Sequence, residues 1–201
     1  MIRVSETTGN SLLRHEFCFF RHRLRVLRSA RETGGVLEVD YSAPPRARVP
    51  EHVHHDQEER LEIVSGTLYL RVGGRKLALG PGQSAVGPPG IPHEWWNPGT
   101  DEEVRFLVGI HPGLPVEGML ETLLGLMRDG KTLRLLPRNP LQLAVMAREV
   151  GSWAYPTGIP MPVRKALFAP VTLLAFIGSL LGYGVRYPEY SRTEAAQGMR
   201  R

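Results

Sequence analysis

The sequence predicts a mainly β domain, a sandwich or barrel of short strands, followed by an α-helical extension. Three observations carry this reading. Apolar and polar residues alternate in short segments up to about residue 111; the 22 glycines and 17 prolines of the 201-residue chain supply turn signals between them; and beyond His111-Pro112 the apolar spacing becomes helical. The chain divides into an N-terminal segment, 1–21, a β domain, 22–111, and a helical extension, 112–201.

In order, "RLRVLRSA" and "GGVLEVDYSA" alternate as strands, and "RLEIVSG" and "TLYLRV" follow. Gly73-Gly74 then joins "TLYLRV" to "RKLAL", because two glycines tolerate the positive φ angles of a tight primed hairpin turn. "GPGQSAVGPPGIPHEWWNPG" crosses two further turns, and "EEVRFLVGI" ends the run with Val104, Phe106, Val108 and Ile110 on one face. "PVEGMLETLLGLMRDGK" spaces its apolar residues for a helix that Gly130 terminates. "NPLQLAVMAREVG" makes a second helix with Asn139 as its cap and Pro140 in the first turn, and the connector "YPTGIPMP" leads to a third.

The formal charge of +5 is uneven. Seven arginines, among them Arg3, Arg14, Arg23, Arg25 and Arg28, face only Glu6 and Glu16 in the first 31 residues. No nucleic-acid-binding motif surrounds them, so the stripe reads as a solvated strand face and no nucleic-acid partner is expected. The single cysteine, Cys18, has no intramolecular partner, and the opening residues lack the apolar core of a secretion signal; a cytoplasmic setting is expected.

"PEHVHHDQEERLEIVSG" carries the chemistry. His52 and His54 are two residues apart, so on a strand both leave the same face, about 6.5 Å apart. Glu59 shares its face with Leu61 and Ile63; a carboxylate pointing inward among apolar residues needs a partner, which a metal cation supplies. His55, Asp56, Gln57 and Glu58 read as a solvated rim. Farther on, His93 begins a short strand on which Trp95 and Asn97 share its face.

The two segments together resemble the cupin superfamily. Its first motif, G, five residues, HxH, three or four residues, E, six residues, G, is met by His52, His54, Glu59 and Gly66, with Arg46 in place of the first glycine. Its second, G, five residues, PxG, two residues, H, three residues, N, is met by Gly82, Pro88, Gly90, His93 and Asn97. The resemblance implies a small double-stranded β-helix, the jelly-roll barrel, with His52, His54, Glu59 and His93 inside as ligands of a divalent transition metal: Fe, Mn, Ni, Cu or Zn. Gly66, Gly82, Pro88, Gly90 and Asn97 are then structural.

Members of that superfamily include dioxygenases, isomerases, decarboxylases, storage proteins and ligand-binding modules, so the fold does not select among them. Trp95 and, from the last strand, Phe106, Val108 and Ile110 suggest an apolar, partly aromatic pocket, suited to a flat or greasy ligand rather than a phosphosugar; the plainer role of the three last-strand residues is barrel core. The leading expectation is a quercetinase-like oxygenase acting on a small enolic or aromatic substrate, with Glu59 as ligand and base. The alternatives are a non-catalytic metal-bearing module that binds a small ligand, and a membrane-attached form. A homodimer is the default assembly, since small cupins often pair through their barrels.

The uncharged run 166–185, "ALFAPVTLLAFIGSLLGYGV", is long enough to span a bilayer, and Gly178 with Gly182 makes a GxxxG pair. Pro170, Thr172, Ser179 and three glycines dilute it, so a helix buried against the barrel or a dimer partner is favoured over membrane attachment. The tail also resembles that of a group of uncharacterised bacterial cupin-domain proteins, through "RDGKT", "NPLQLAVMARE" and "GYGVRYPEYS". In that group an arginine interrupts the last apolar helix, whereas here Leu173 to Leu181 is uninterrupted.

Overall fold

The computed structural model describes residues 21–133 and 136–190 in full, and 4–6 and 15–19 as backbone. Arg3, Arg14 and Ser191 lie outside the described residues. The chain forms two compact units, Met1–Leu114 with Ala154–Thr157, and Pro115–Trp153 with Gly158–Arg201.

In the first unit the chain runs through β1 (Val4–Glu6), β2 (His15–Phe19), β3 (His22–Arg28), the short helix α1 (Ala30–Thr33), β4 (Leu37–Ala43), β5 (Arg48–His54), β6 (Glu58–Ser65) and β7 (Leu68–Val72). It continues with β8 (Arg75–Leu79), β9 (Ser84–Gly87), β10 (His93–Trp96) and β11 (Val104–His111). These make the two antiparallel sheets of a jelly roll. One has the order β1-β2-β3-β4-β11-β6-β9; in the other, β5-β10-β7-β8 is extended at the β5 edge by β14 (Ala154–Pro156). Alternation builds the core: Leu37, Val39, Leu61, Ile63, Val104 and Phe106 are buried, while on β3 Arg23, Arg25 and Arg28 face outward.

That arginine stripe is matched by carboxylates. Arg25 and Arg105 reach Asp40 at 3.0 and 2.8 Å, Arg28 reaches Glu38 at 3.2 Å, and Arg23 bonds Glu103. The two guanidiniums hold the Asp40 carboxyl below its usual range, against the opposing effect of burial.

Three turns share one design. Pro44–Ala47, Gly80–Gln83 and Pro88–Ile91 are each closed by a hydrogen bond from the fourth residue's N–H to the first residue's carbonyl, of 3.1, 3.1 and 3.2 Å. Each has proline second, and third a residue at positive φ: Arg46 at +63°, Gly82 at +78° and Gly90 at +74°. This is the type II pattern, which glycine enters freely and a side chain enters at a cost of about 1–2 kcal/mol. Arg46 therefore keeps the turn that the motif builds with glycine, at the cost of a strained backbone.

The second unit contains α2 (Leu114–Arg128) from its second residue on, the hairpin β12 (Thr132–Leu133) and β13 (Leu136–Pro137), α3 (Pro140–Trp153) and α4 (Met161–Leu180). Asn139 caps α3 as expected, its Oδ1 accepting from the backbone N–H of Leu141 at 2.9 Å. The tail after α4 is laced onto α2 and α3. Thr122 donates to the carbonyl of Val185 at 2.7 Å, the buried Gln142 donates to that of Gly184 at 2.8 Å, and Tyr187 donates to Gln142 Oε1 at 2.5 Å. The Tyr190 ring rests on Gly125, where a Cβ would stand 2.1 Å from it.

Two expectations for this region need correction. The last helix covers 161–180 rather than 166–185, because Gly182 turns left-handed at φ +86° and ends it. Nor is it buried. Only Ala175 and Gly178 are, Gly178 meeting Leu141 and Val145 of α3, while Leu167, Leu173, Phe176 and Leu180 are exposed. Small residues let α3 approach one face closely, and the bulky ones are left on the others. By length and composition alone α4 is apolar enough to cross a membrane.

Replacing Gly125 by alanine raises intrinsic helix propensity by about 1 kcal/mol. It should nonetheless destabilise the helical unit, because the methyl displaces Tyr190. Limited proteolysis should release the tail sooner in Gly125→Ala than in the wild type.

Candidate metal centre

Strand β5 sends His52 and His54 to one face, and β10, paired beside it, sets His93 directly opposite His52 in register. Glu59 comes from β6 in the other sheet, alternating with the buried Leu61 and Ile63. Three nitrogens from one sheet thus meet a carboxylate from the other. The Nε2 atoms of His52, His54 and His93 lie 3.8, 3.4 and 3.3 Å from the same atom, Glu59 Oε2. One donor atom from each of the four residues falls within 4.8 Å of all the others.

Two of the rings are aimed by the backbone. His52 Nδ1 donates to the carbonyl of Pro50 at 2.8 Å and His93 Nδ1 to that of Ile91 at 2.9 Å. A carbonyl only accepts, so in each neutral ring Nδ1 carries the proton and the Nε2 lone pair points to the centre. The His54 carbonyl accepts from the N–H of Gly90 at 2.8 Å, which ties the second motif's turn to the first motif's strand. His52 is the most exposed of the three imidazoles, at 17% of its side chain against 6% for each of the others, so the cluster opens to solvent on that side.

The donor set fits a divalent transition ion. Three imidazoles and one carboxylate converge, and they would leave open positions on an octahedral ion. Burial would raise the Glu59 pKa, but in the ion-free protein hydrogen bonds from His52, His54 and His93, made when Nε2 also carries a proton, outweigh it and hold the carboxyl well below its usual range. Burial would lower that of His93, and its bonds to Glu59 and to the Ile91 carbonyl turn the shift upward.

The remaining sequence candidates fall in different places. Gln57, read as part of a solvated rim, is buried, and its amide donates to the carbonyl of Pro112 at 2.8 Å; His55, Asp56 and Glu58 are exposed. Its position two before Glu59, on the inward face, was the available signal. Trp95 and Phe106 are packed edge to face at 5.2 Å, and Tyr41 touches both rings. Along β11 it is Ile110 that pairs with Glu59, and Val108 and Phe106 lie one and two inward positions farther away, opposite Leu61 and Ile63. Asn97 donates to the carbonyls of Ala43, Pro44 and Glu102, fixing the loop before β5. Gly66 is at φ +80°, against Val104.

Two supports escaped the sequence reading. Gly87, the register partner of Glu59, lies so close to His93 that a Cβ there would stand 3.0 Å from the ring. Strand β14, inside the stretch assigned to helices, pairs Ala154 with His54 and Pro156 with His52. Three residues ending in proline give too little pattern to be called a strand.

Residues 40–110 match the family model described as "Cupin domain". No curated protein matches the chain. Solved structures do. A predicted oxalate decarboxylase from Thermotoga maritima is 22% identical, with 45% of this chain and 79% of that one covered and a TM-score of 0.42. KdgF from a Halomonas species is 19% identical, covering 45% and 78% at a TM-score of 0.41. A double-stranded β-helix protein from Klebsiella pneumoniae is 28% identical, covering 39% and 65% at a TM-score of 0.36.

Adding a methyl at Gly87 should push the His93 ring off the common centre. Gly87→Ala is expected to weaken metal binding about 10- to 100-fold, read by metal titration, with a smaller effect on thermal stability. In protein stripped of metal, Glu59 contributes stability above its ordinary pKa of 4.5, lost as pH falls through its depressed folded-state value. His93 contributes stability below its ordinary 6.5, lost as pH rises through its elevated folded-state value. The contribution of this pair to the stripped protein is therefore greatest between about pH 4.5 and 6.5, and the fall of the denaturation midpoint on the alkaline side should be shallower in His93→Ala than in the wild type.

Proposed function

Because this chain belongs to the cupin superfamily through the domain at residues 40–110, we propose that His52, His54, Glu59 and His93 hold a divalent transition metal, Fe, Mn, Ni, Cu or Zn, and that the protein is an oxygenase of small enolic or aromatic molecules. The observation that carries this is the convergence of three Nε2 atoms on one oxygen of Glu59. When bound, the ion supplies Lewis acidity toward an enol or phenol oxygen and a centre at which dioxygen reacts.

The chain's own residues do the rest. Glu59 stays ionised at neutral pH, so it is free to accept the proton of an enolic O–H as well as to serve as a ligand. The side open at His52 admits the substrate. Ile110 and Val108 offer an apolar wall next to Glu59, and Trp95 and Phe106 back it. Among the described residues no lysine or arginine is buried, which suits an uncharged ring or enol better than a phosphosugar. In a dioxygenation both atoms of O2 enter the product, so the substrate supplies all four electrons and no external reductant is required.

The close packing of Tyr41, Trp95 and Phe106 favours the second reading, a metal-bearing module that binds a small ligand without turnover. Anaerobic loading with each metal, followed by oxygen uptake with a panel of enediols and flavonols, separates the two. Uptake in step with substrate loss, lowered about 100-fold or more in Glu59→Gln, is expected of the oxygenase. Tight ligand binding with no turnover under any metal would discard it.

The proposed setting is cytoplasmic and homodimeric, with the bare apolar side of α4 covered in the dimer. Sedimentation of the full chain without detergent should give twice the chain mass, and recovery only in detergent would assign α4 to a membrane instead.

A further inference from the structure

On β10, Glu94 and Trp96 alternate with the inward His93 and Trp95 and stand on the outer face of the sheet. Glu94 is only 2% exposed, and its two oxygens are taken by different arginines, Oε2 by Arg48 at 2.5 Å and Oε1 by Arg71 at 2.9 Å. Both guanidinium side chains remain half exposed, so most of their donors are unused by Glu94. Arg46, at positive φ, joins them, and the three arginines with Glu94, Trp96 and Pro98 line a cavity of about 460 Å3. Arg46 has no ion-pair partner among the described residues, and Lys76 lies 5.3 Å from the Trp96 ring. Three guanidiniums against one carboxylate leave the cavity positively charged.

The position of Arg46 is what needs explaining. Gly82 and Gly90 occupy the same place in turns of the same design, and glycine at 46 would relieve the backbone. The turn is held in place regardless, by Asn97 on the carbonyls of Ala43 and Pro44 and by the Asn97 N–H on that of Ala47 at 2.9 Å. A charged residue kept in a strained conformation, with no ion-pair partner among the described residues and at the edge of a cationic cavity, is what a ligand contact would require. The buried Glu94 fixes the other two arginines, as a preorganised anion site requires.

We propose that this cavity is a binding site, separate from the metal centre, for a small organic oxyanion. Its phosphate or carboxylate head is held by Arg46, Arg48 and Arg71, and its flat or apolar body lies along Trp96 and Pro98. The volume suits a small molecule rather than a polymer.

Calorimetric titration of the metal-loaded full chain at low ionic strength, with phenyl phosphate, benzoate, inorganic phosphate and phenol, tests this. Saturable binding of phenyl phosphate or benzoate is expected, tighter than inorganic phosphate, with none for phenol; the tighter of the two heads names the anion. Arg46→Gly should weaken binding about tenfold or more while the melting temperature stays level or rises, and Arg46→Lys should retain more affinity than Arg46→Gly. Arg48 and Arg71 are poorer choices, because loss of either leaves Glu94 a buried, half-paired charge. Full affinity in Arg46→Gly, a fall in its melting temperature, or failure of both organic anions to bind the wild type would each overturn the proposal.

Discussion

Glu59 is a carboxylate placed where its strand neighbours are leucine and isoleucine, and this burial governs the barrel's chemistry. An isolated charge in such a setting costs several kcal/mol. Three imidazoles from the facing sheet compensate it, through Nε2 protons or through a cation held between them, and their approach requires β5 and β10 to be adjacent and in the register that sets His93 opposite His52. A slip of one residue in either strand would turn its histidines outward and leave the carboxylate alone. The ladder and the site are therefore one constraint, and the bonds from His52 and His93 to backbone carbonyls extend it to ring orientation.

Much of this was legible in the chain. Alternation around His52, His54 and Glu59, and the turn before His93, predict which side chains face inward, because a strand's period is two and proline-glycine turns fix where it restarts. The hairpin at Gly73-Gly74 and the cap at Asn139 rest on equally local chemistry. What was not legible depends on partners far along the chain. Gln57 looked like rim because its neighbours are polar, yet it is buried under the carbonyl of Pro112. The role of Gly87 exists only because His93 lies over it. For α4, composition alone could not say which side chains would meet α3 and which would be left uncovered.

The barrel manages charge in two ways. Outside, on the β3–β4–β11 face, arginines and carboxylates pair almost one for one, and Asp40 serves two guanidiniums. On the opposite face the ratio shifts toward arginine, and the excess gathers around Glu94 and the strained turn at Arg46. The helical unit relies instead on tyrosine hydroxyls and amides: Tyr183, Tyr187 and Tyr190 reach Asn139, Gln142 and Asp129, which pins the tail to helices that precede it by 42 or more positions.

Strand β14 means that the barrel is not finished when β11 ends. The chain must first traverse two helices before Ala154–Pro156 returns to complete the edge of β5, the strand that bears His52 and His54. During synthesis that edge stays bare for more than forty residues, its amides and carbonyls available to any passing strand. A fragment cut after His111 would keep His52, His54, Glu59 and His93 yet leave this border permanently bare, so a barrel carried past Pro156, and not one ended at His111, is the better unit for purification and crystallisation.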